Sequence, residues 1–562
     1  MRSLYKALLL IGLAACGGGE ALNSGDDTPG SSADAGGGGV SFGGAQDIGE
    51  FRGILERGEI PGPKTLDANG FFNEHYNAPP QLTCSGTLCL SPGLSVGKDW
   101  LTGKYQAALQ LSVNTNVDPS QYTRLPMNLV VVVDHSGSMS QDQRLEKVKT
   151  GLHTLIDNIQ PEDRLAIISF DDVVTIDQPF QATLDRARLH QVVTALQPRG
   201  GTNIHDGLKA GFAMLGENPP NEKQNRIIFL SDGLATVGIT SQPTIIAMAA
   251  QNIARGIGLT TIGVGDTFDV TLMRGLAERG AGNFYYVENA VAATEVFTEE
   301  LKYFLSPLAL DVKIEARTDA SKWEMKSVVG STLWSAGPSL GKMDVPAVFL
   351  ASRIGQMPGP GGGRRGGGSM IFIQLTPHTN VAGKVADLTL SYRMPNSTER
   401  ITQTVTLDYM RDPQEMLETP YLSYPEMSER YAMYNMYLGF RLATDYAERD
   451  YNCSAATLAA LRRTAQTWGE KYAGDDDIAA DLLLADKFLA NLRVKGANES
   501  TELSSCPSAD NPYPNPPHGG DGGTDHPPQH DHHGCSATGN AARGSWLLLL
   551  GIALLVVRRP RR

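Results

Sequence analysis

Three oxygen-bearing side chains follow directly after an apolar segment of the chain. The segment is residues 129–133, and the side chains are Asp134, Ser136 and Ser138, with Gly137 between the two serines. Residues two apart in an extended loop point the same way, so the three side chains can converge on one point. Gly137 lets the backbone bend between them. One carboxylate beside two hydroxyls suits either a hard cation or a catalytic acid working beside serines.

Two further oxygen donors occupy equivalent loops downstream. Thr202 follows a pair of glycines and precedes an amphipathic helix, and Asp232 follows the apolar strand that ends at Leu230. The predicted metal ligands are therefore Asp134, Ser136, Ser138, Thr202 and Asp232. Mg²⁺ is favoured because it keeps several waters and accepts few carboxylates, with Mn²⁺ and Ca²⁺ as alternatives. Since three of the five ligands are neutral hydroxyls, a bound dication keeps a coordination position for an outside oxygen.

Short apolar strands alternating with amphipathic helices must position these ligands. Near-continuous apolar strands, typical of a sheet covered on both faces, are predicted at 129–133, 165–170, 227–230 and 259–264. Apolar residues at helical spacing predict helices around 145–159, 204–215 and 245–253. The alternation indicates an α/β fold with a doubly wound, mainly parallel, Rossmann-like sheet. Ligands of such sheets bind beyond the carboxyl ends of the strands, where the five residues are expected.

The order and types of these residues resemble the metal-ion-dependent adhesion site (MIDAS) of von Willebrand factor type A (VWA) domains. The resemblance covers residues 127–305, and its small departure is His135. It implies that an Asp or Glu of a partner protein coordinates the metal, and that the last helix of the domain, about 290–304, shifts with it. The alternative that Asp134 and Ser136 merely cap the next helix would leave Thr202 and Asp232 unexplained.

The regions on both sides of the predicted domain do not show its alternation of strands and helices. Residues 47–126 are predicted to form an N-terminal flanking region with a strand at 105–114, residues 306–424 a β-rich domain, and residues 425–506 a helical region. These flanks loosely resemble those of bacterial secreted VWA lipoproteins. That group has no chemistry assigned to its extension, so the resemblance adds architecture rather than activity.

The first residues predict export and lipid attachment. A basic start and a short apolar run form a predicted signal peptide, residues 1–15, and the sequence before Cys16 resembles the bacterial lipobox. The resemblance implies acylation of Cys16 and placement in the outer membrane; an ordinary secretory signal is the alternative. Residues 16–46 have almost nothing to bury and are predicted to be a disordered Gly/Ser tether.

The C-terminal end predicts a second anchor. Residues 507–545 form a predicted disordered Pro/Gly/His linker, interpreted as a spacer rather than a metal-binding tract. Residues 546–562 are an apolar segment, short for a full membrane span, followed by arginines. With Cys535 before it, this end resembles the sorting signal of myxobacterial surface proteins, which implies processing and lipidation at Cys535; a plain C-terminal anchor is the alternative.

Four cysteines remain after the two terminal ones. An oxidising envelope allows three pairings of Cys84, Cys89, Cys453 and Cys506. The closeness of the first two favours Cys84–Cys89 with Cys453–Cys506, and free thiols are the alternative. A zinc site is disfavoured because the lone C-x4-C has no second pair or nearby histidines.

Charge and motifs then limit the function. A net charge of −13, with no extended basic stretch before the last residues, argues against a nucleic-acid partner. The motif loops offer only His135 and His205 as general bases, and no phosphate-binding loop or nucleophile elbow occurs. We therefore expect a surface-anchored, metal-dependent module for adhesion or envelope scaffolding, not an enzyme, whose partner is an envelope or extracellular protein presenting Asp or Glu. A metal-dependent envelope hydrolase is the alternative.

Overall fold

A computed structural model describes most of the chain between residues 38 and 506. The described ranges are 38–75, 85–117, 124–216, 223–253, 255–265, 268–287, 289–300, 307–351, 368–395, 397–411, 419–472, 476–498 and 501–506. The predictions for residues 1–15, most of 16–46, 507–545 and 546–562 lie outside these ranges, as do Cys16, Cys84 and Cys535. Within the described ranges every helix is too short or too polar to cross a membrane.

A seven-stranded sheet forms the centre of the α/β part of the fold. Its strands are β2 (Gly44–Ala45), β5 (Met127–Asp134), β6 (Arg164–Phe170), β7 (Val174–Gln178), β8 (Gln224–Ser231), β9 (Ile257–Val264) and β10 (Asn283–Val287). They lie in the order β2-β10-β9-β8-β5-β6-β7, and every neighbouring pair is parallel except β6 and β7. All eight residues of β5 are buried because helices cover the sheet on both faces.

Six helices of the described ranges cover the two faces of this sheet. They are α3 (Arg144–Asn158), α4 (Arg186–Ala195), α5 (Ile204–Gly216), α6 (Gln242–Ile253), α7 (Val270–Arg279) and α8 (Ala290–Glu295), the last continued by a wider turn to Glu300. Apolar residues of α3, α4 and α8 pack on one face of the sheet, and those of α5, α6 and α7 pack on the other. The predicted doubly wound α/β fold is therefore confirmed.

An antiparallel sheet of eleven strands is the second large element. It comprises β1 (Gly38–Ser41), β3 (Leu88–Lys98), β4 (Tyr105–Thr115), β11 (Pro307–Thr318), β12 (Trp323–Val329), β13 (Trp334–Ala336), β14 (Leu340–Leu350), β15 (Met370–Pro377), β16 (Gly383–Arg393), β17 (Arg400–Tyr409) and β18 (Tyr421–Leu422). Its core is one cluster of buried apolar side chains drawn from both sides of the VWA region in sequence. Six strands of the seven-stranded sheet, all except β2, are thus inserted in sequence between β4 and β11.

This topology corrects two predicted boundaries. The flanking region 47–126 and the β-rich region 306–424 are not separate domains, because β4 pairs with β15 and β1 lies between β4 and β14. The predicted tether 16–46 was wrong at its end, since residues 38–41 and 44–45 form β1 and β2. These strands are held by backbone hydrogen bonds to other strands, as where Val40 lies opposite Leu350. Because they contain few large apolar side chains, the sequence shows no strand pattern there.

A helical layer completes the fold. Its helices are α1 (Gly49–Glu56), α2 (Ala68–Asn73), α9 (Met427–Ala447), α10 (Tyr451–Lys471) and α11 (Asp476–Val494). Aromatic side chains of α1 and α2 pack against α9 and α11, as where the rings of Phe51 and Phe440 meet edge to face. Cys453 and Cys506 are joined by a disulfide, the pairing favoured from the sequence. Cys89 is also disulfide-bonded.

Candidate metal centre

The predicted ligands lie at the carboxyl ends of neighbouring parallel strands. Asp134 is the last residue of β5, and Asp232 follows the last residue of β8. Val133 stands opposite Leu230 across the parallel pair, so the two aspartates leave the sheet side by side. Asp134 is fully buried, and only 1% of Asp232 is exposed. The shared direction of the strands therefore brings together two carboxylates that are distant in sequence.

A chain of hydrogen bonds connects four of the five predicted ligands. The carboxylate of Asp134 accepts the backbone N–H of Ser136 at 2.8 Å. The hydroxyls of Ser136 and Ser138 lie 3.1 Å apart, and Ser138 Oγ donates to Asp232 Oδ1 at 2.8 Å. The second oxygen of Asp134 accepts the hydroxyl of Ser231 at 2.6 Å. Ser231 is a residue that the sequence motif did not single out.

Thr202 approaches the same group from a different loop. A Cβ placed on Gly233 would lie 3.5 Å from both Thr202 Oγ1 and Asp134 Oδ2, so both oxygens lie close to that glycine. The backbone carbonyl of Thr202 accepts N–H groups from Thr236 and Val237, which fixes the loop. All five predicted ligands therefore meet at one end of the sheet.

The spacing and chemistry of these oxygens fit a small hard cation. Adjacent ligands of octahedral Mg²⁺ lie about 3 Å apart, because each metal–oxygen bond is about 2.1 Å long. The Ser136–Ser138 and Ser138–Asp232 oxygen distances, 3.1 and 2.8 Å, fall near that value. Among the described residues no three His, Cys, Asp or Glu side chains converge as metal ligands. This centre instead combines two carboxylates with hydroxyls, which suits Mg²⁺ better than zinc.

Burial raises the pKa of a carboxylate in the centre, so a nearby positive charge would stabilise its ionised form. The pKa of Asp134 is raised to about 6, chiefly because burial removes water from the carboxylate, with a smaller contribution from neighbouring Asp232. Hydrogen bonds from Ser231 and Ser136 oppose the increase. A cation beside this carboxylate would favour its ionised form.

Arg144, at the start of α3, is a member of the centre that the sequence analysis missed. Only 1% of its side chain is exposed, and its Nη1 donates to Asp232 Oδ2 at 2.8 Å. Asp232 thus accepts a hydrogen bond from Ser138 on one carboxylate oxygen and one from Arg144 on the other. The sequence did contain a signal, because Arg144 directly precedes Leu145, a residue on the apolar face of a predicted helix. An arginine buried at such a position is rare without a charged partner, so a nearby carboxylate could have been expected.

Neither histidine of the motif loops is placed as a general base for the centre. His135 Nδ1 bonds to the backbone carbonyl of Gln197 at 2.9 Å, and its Nε2 lies 3.9 Å from Asp171. His205 Nδ1 lies 2.8 Å from Asp206, the next residue of the same helix. The Nδ1 atoms of both rings are therefore bonded to groups other than Asp134 and Asp232.

Comparison with known proteins agrees with the fold. Residues 129–234 match the von Willebrand factor type A domain family. With the doubly wound sheet, this match shows that the chain carries a VWA-type α/β domain. Domains of this type commonly act in protein–protein interaction or adhesion and often bind a divalent metal at a MIDAS.

Individual relatives match parts of the chain. The Escherichia coli protein YfbK is 29% identical over 189 residues, or 34% of this chain and 33% of that protein. Human inter-alpha-trypsin inhibitor heavy chain H6 is 27% identical over 228 residues, or 38% of this chain and 16% of that protein. A solved von Willebrand factor type A structure from Catenulispora acidiphila is 14% identical, with a TM-score of 0.48 over 70% of this chain and 90% of that one. The chain therefore covers a third or less of the length of the first two proteins.

Proposed function

We propose that this protein is a surface-anchored, metal-dependent protein-binding module of the cell envelope. The observation that carries the proposal is the convergence of two buried carboxylates with serine and threonine hydroxyls from three separate loops. Such a set holds a dication but leaves part of its charge and coordination sphere for another molecule. The Nδ1 atoms of both motif histidines bond to groups outside this set of ligands, which favours binding over hydrolysis.

Each ligand has a distinct part in this proposal. Asp134, Ser136, Ser138, Thr202 and Asp232 would hold Mg²⁺. When bound, the ion supplies an electrophilic centre for a carboxylate oxygen. Asp134 and Asp232 are buried beneath it, whereas Ser138 is half-buried and Gly137 is exposed. The partner therefore approaches from the side of the Gly137 loop, and an Asp or Glu side chain is the group that matches the ion.

The predicted signals at the chain ends place this binding outside the cytoplasm. Lipid on Cys16 and the anchor following Cys535 would hold the protein at the outer membrane or cell surface. The partner is then an envelope or extracellular protein, and adhesion or scaffolding is the expected role. Palmitate labelling of the wild type, Cys16→Ser, Cys535→Ser and the variant with both changes decides which end is lipidated, and label retained in the last of these would contradict lipid anchoring at the two cysteines.

A capture experiment tests the binding function. Purified protein is incubated with envelope extract in Mg²⁺ or in EDTA, and captured proteins are compared. We expect Mg²⁺-dependent capture that Asp134→Ala abolishes and that Asp157→Ala, an exposed carboxylate change on α3, leaves intact. Capture that persists in EDTA and in Asp134→Ala would contradict the proposal. Phosphoester or peptide turnover that depends on Asp134 would instead support a hydrolase.

A further inference from the structure

We propose that a cavity between the helical layer and the two sheets binds a small carboxylate with a short apolar body. The cavity measures about 180 Å³ and is lined by residues of β2, α7, α9 and the turn that follows β12. None of the five predicted metal ligands lines it, so this site is additional to the metal centre. It presents a hydroxyl, a guanidinium group and an apolar wall to one ligand.

Tyr437 on α9 carries the hydroxyl. Only 8% of this residue is exposed, and its ring packs against those of Phe71 and Phe72 at centroid distances of 5.8 and 5.4 Å. Among the described residues the hydroxyl has no hydrogen-bond partner. A buried tyrosine hydroxyl usually has a partner, so its lack of one at the wall of a cavity points to a ligand.

Arg441, one turn further along α9, supplies positive charge beside that hydroxyl. Burial raises the pKa of Tyr437 to about 12, and Arg441 is the charge that opposes the increase most strongly. The hydroxyl therefore stays protonated at neutral pH and can donate to an anion. Arg441 Nη1 donates to the backbone carbonyl of Pro63 at 2.8 Å, and its Nε lies 3.4 Å from Asp445 Oδ2. That distance is long for a hydrogen bond, so Asp445 compensates the guanidinium only in part.

The acids of the cavity wall already have donors from the protein. Asp67 accepts the backbone N–H of Gly70 at 2.7 Å and is paired with Arg274. Glu278 accepts the backbone N–H of Thr332 at 2.9 Å and also the hydroxyl of that residue. The donors of α9 therefore select an acceptor group rather than a cation. A carboxylate matches them, because hydrogen bonds to an ionised acceptor are stronger than those to a neutral one.

Apolar side chains form another part of the wall and define the body of the ligand. They are Leu66, Val328, Val329 and Leu438. A volume of about 180 Å³ holds about six atoms of the size of a water molecule, at roughly 30 Å³ each. A short branched carboxylate such as isovalerate has this size. Its carboxylate would meet Tyr437 and Arg441, and its methyl groups would contact the apolar wall.

The experiment titrates the intact protein with isovalerate by ligand-observed NMR. EDTA is present throughout, so the carboxylate cannot bind at a metal ion and the result does not depend on the proposed function. We expect a dissociation constant of about 1 mM or lower. The uncharged amide, isovaleramide, should bind at least about tenfold more weakly.

Two substitutions separate binding from support of the fold. Tyr437→Phe removes only the hydroxyl and should weaken isovalerate binding about tenfold. Tyr434→Phe is the matched control, because its hydroxyl is buried on the same helix and does not line the cavity, and binding should be unchanged. Arg441→Gln should abolish the preference for isovalerate over its amide. A purely structural role of Arg441 would weaken both probes equally.

The outcomes that overturn the proposal are specific. They are no binding of isovalerate to the wild type, equal affinity in Tyr437→Phe, and parallel weakening of both probes in Arg441→Gln. Leucine adds an ammonium group to a similar body and should bind at least about fivefold more weakly than isovalerate, because burying that charge is costly. Tighter binding of leucine would assign the cavity to zwitterions instead. If Arg441→Gln does not fold, Tyr437→Phe decides alone, since its hydroxyl bonds to no described residue.

Discussion

The two sheets of this protein differ in strand direction, and this difference decides where loops gather. Strands of the seven-stranded sheet that lie next to one another are mostly parallel, so their carboxyl ends gather loops at one edge. The eleven-stranded sheet is antiparallel, so its strand ends alternate between edges and present no comparable row of loops. Its strands also come from both sides of the VWA insertion. Direction of pairing thus explains why the proposed metal centre lies on one sheet while the other provides structural support.

The strongest test of this division is removal of one metal ligand. Asp134→Ala should reduce Mn²⁺ affinity by at least about a hundredfold, because it deletes one of only two carboxylates in the centre. Isothermal titration calorimetry measures the loss, and circular dichroism checks that the fold survives. The matched control is Asp408→Ala on β17, an exposed carboxylate of the antiparallel sheet. Equal losses in both variants would remove the distinction between the sheets.

A second substitution, in the core of the antiparallel sheet, should lower stability without changing the proposed metal centre. Leu390 on β16 is fully buried, and Leu390→Ala should lower the free energy of unfolding by about 3 kcal/mol through lost burial and a cavity. Urea denaturation measures this, and Val381→Ala, at a side chain 70% exposed, should cost far less. Mn²⁺ affinity of folded Leu390→Ala should match wild type; a large change would show that the sheets are coupled.

The helical layer beside the sheets supplies a pH-dependent test of stability. Burial raises the pKa of Glu50 on α1 to about 7, although Arg274 and Arg57 oppose the increase. A raised carboxyl pKa favours the folded state below the unfolded value, near 4.5, and this contribution is lost as pH rises through 7. Glu50→Gln should therefore raise stability at pH 8, relative to wild type, by no more than roughly 3 kcal/mol.

Urea denaturation at pH 5 and pH 8 measures the effect of Glu50→Gln. The control is Glu146→Gln, at a side chain 63% exposed on α3, which should show no such pH dependence. A Glu50→Gln variant that is destabilised equally at both pH values would contradict the assignment.

The smallest expected effect is the pH dependence of the centre itself. Asp134 has a pKa near 6 without metal, so protons compete with the cation below that pH. Mn²⁺ affinity should be nearly constant above pH 7 and fall about tenfold between pH 7 and pH 5. Calorimetric titrations across this range measure it, with Glu50→Gln as a variant expected to follow the wild-type curve. Affinity that is flat down to pH 5 would contradict the role given to Asp134.

Sequence reasoning succeeded where signals were local. The apolar run of β5 and the helical spacing of α3 each lie within one segment, so the parallel fold and the positions of Asp134, Thr202 and Asp232 were predictable. It missed β3 because Pro92, Gly93 and Gly97 interrupt that strand and read as turns. The strand persists because β4 pairs along its whole length.

By itself, the sequence determined which residues could bind a cation and which strand ends would carry them. Residue types and the alternation of strands with helices can both be read from short segments of the chain. Only the tertiary structure decided that residues 38–45 belong to the two sheets, since backbone pairing depends on partners hundreds of positions away. It also decided that Arg144 faces Asp232. A buried charge requires a counter-charge, but the sequence does not reveal which of several aspartates the fold will place beside it.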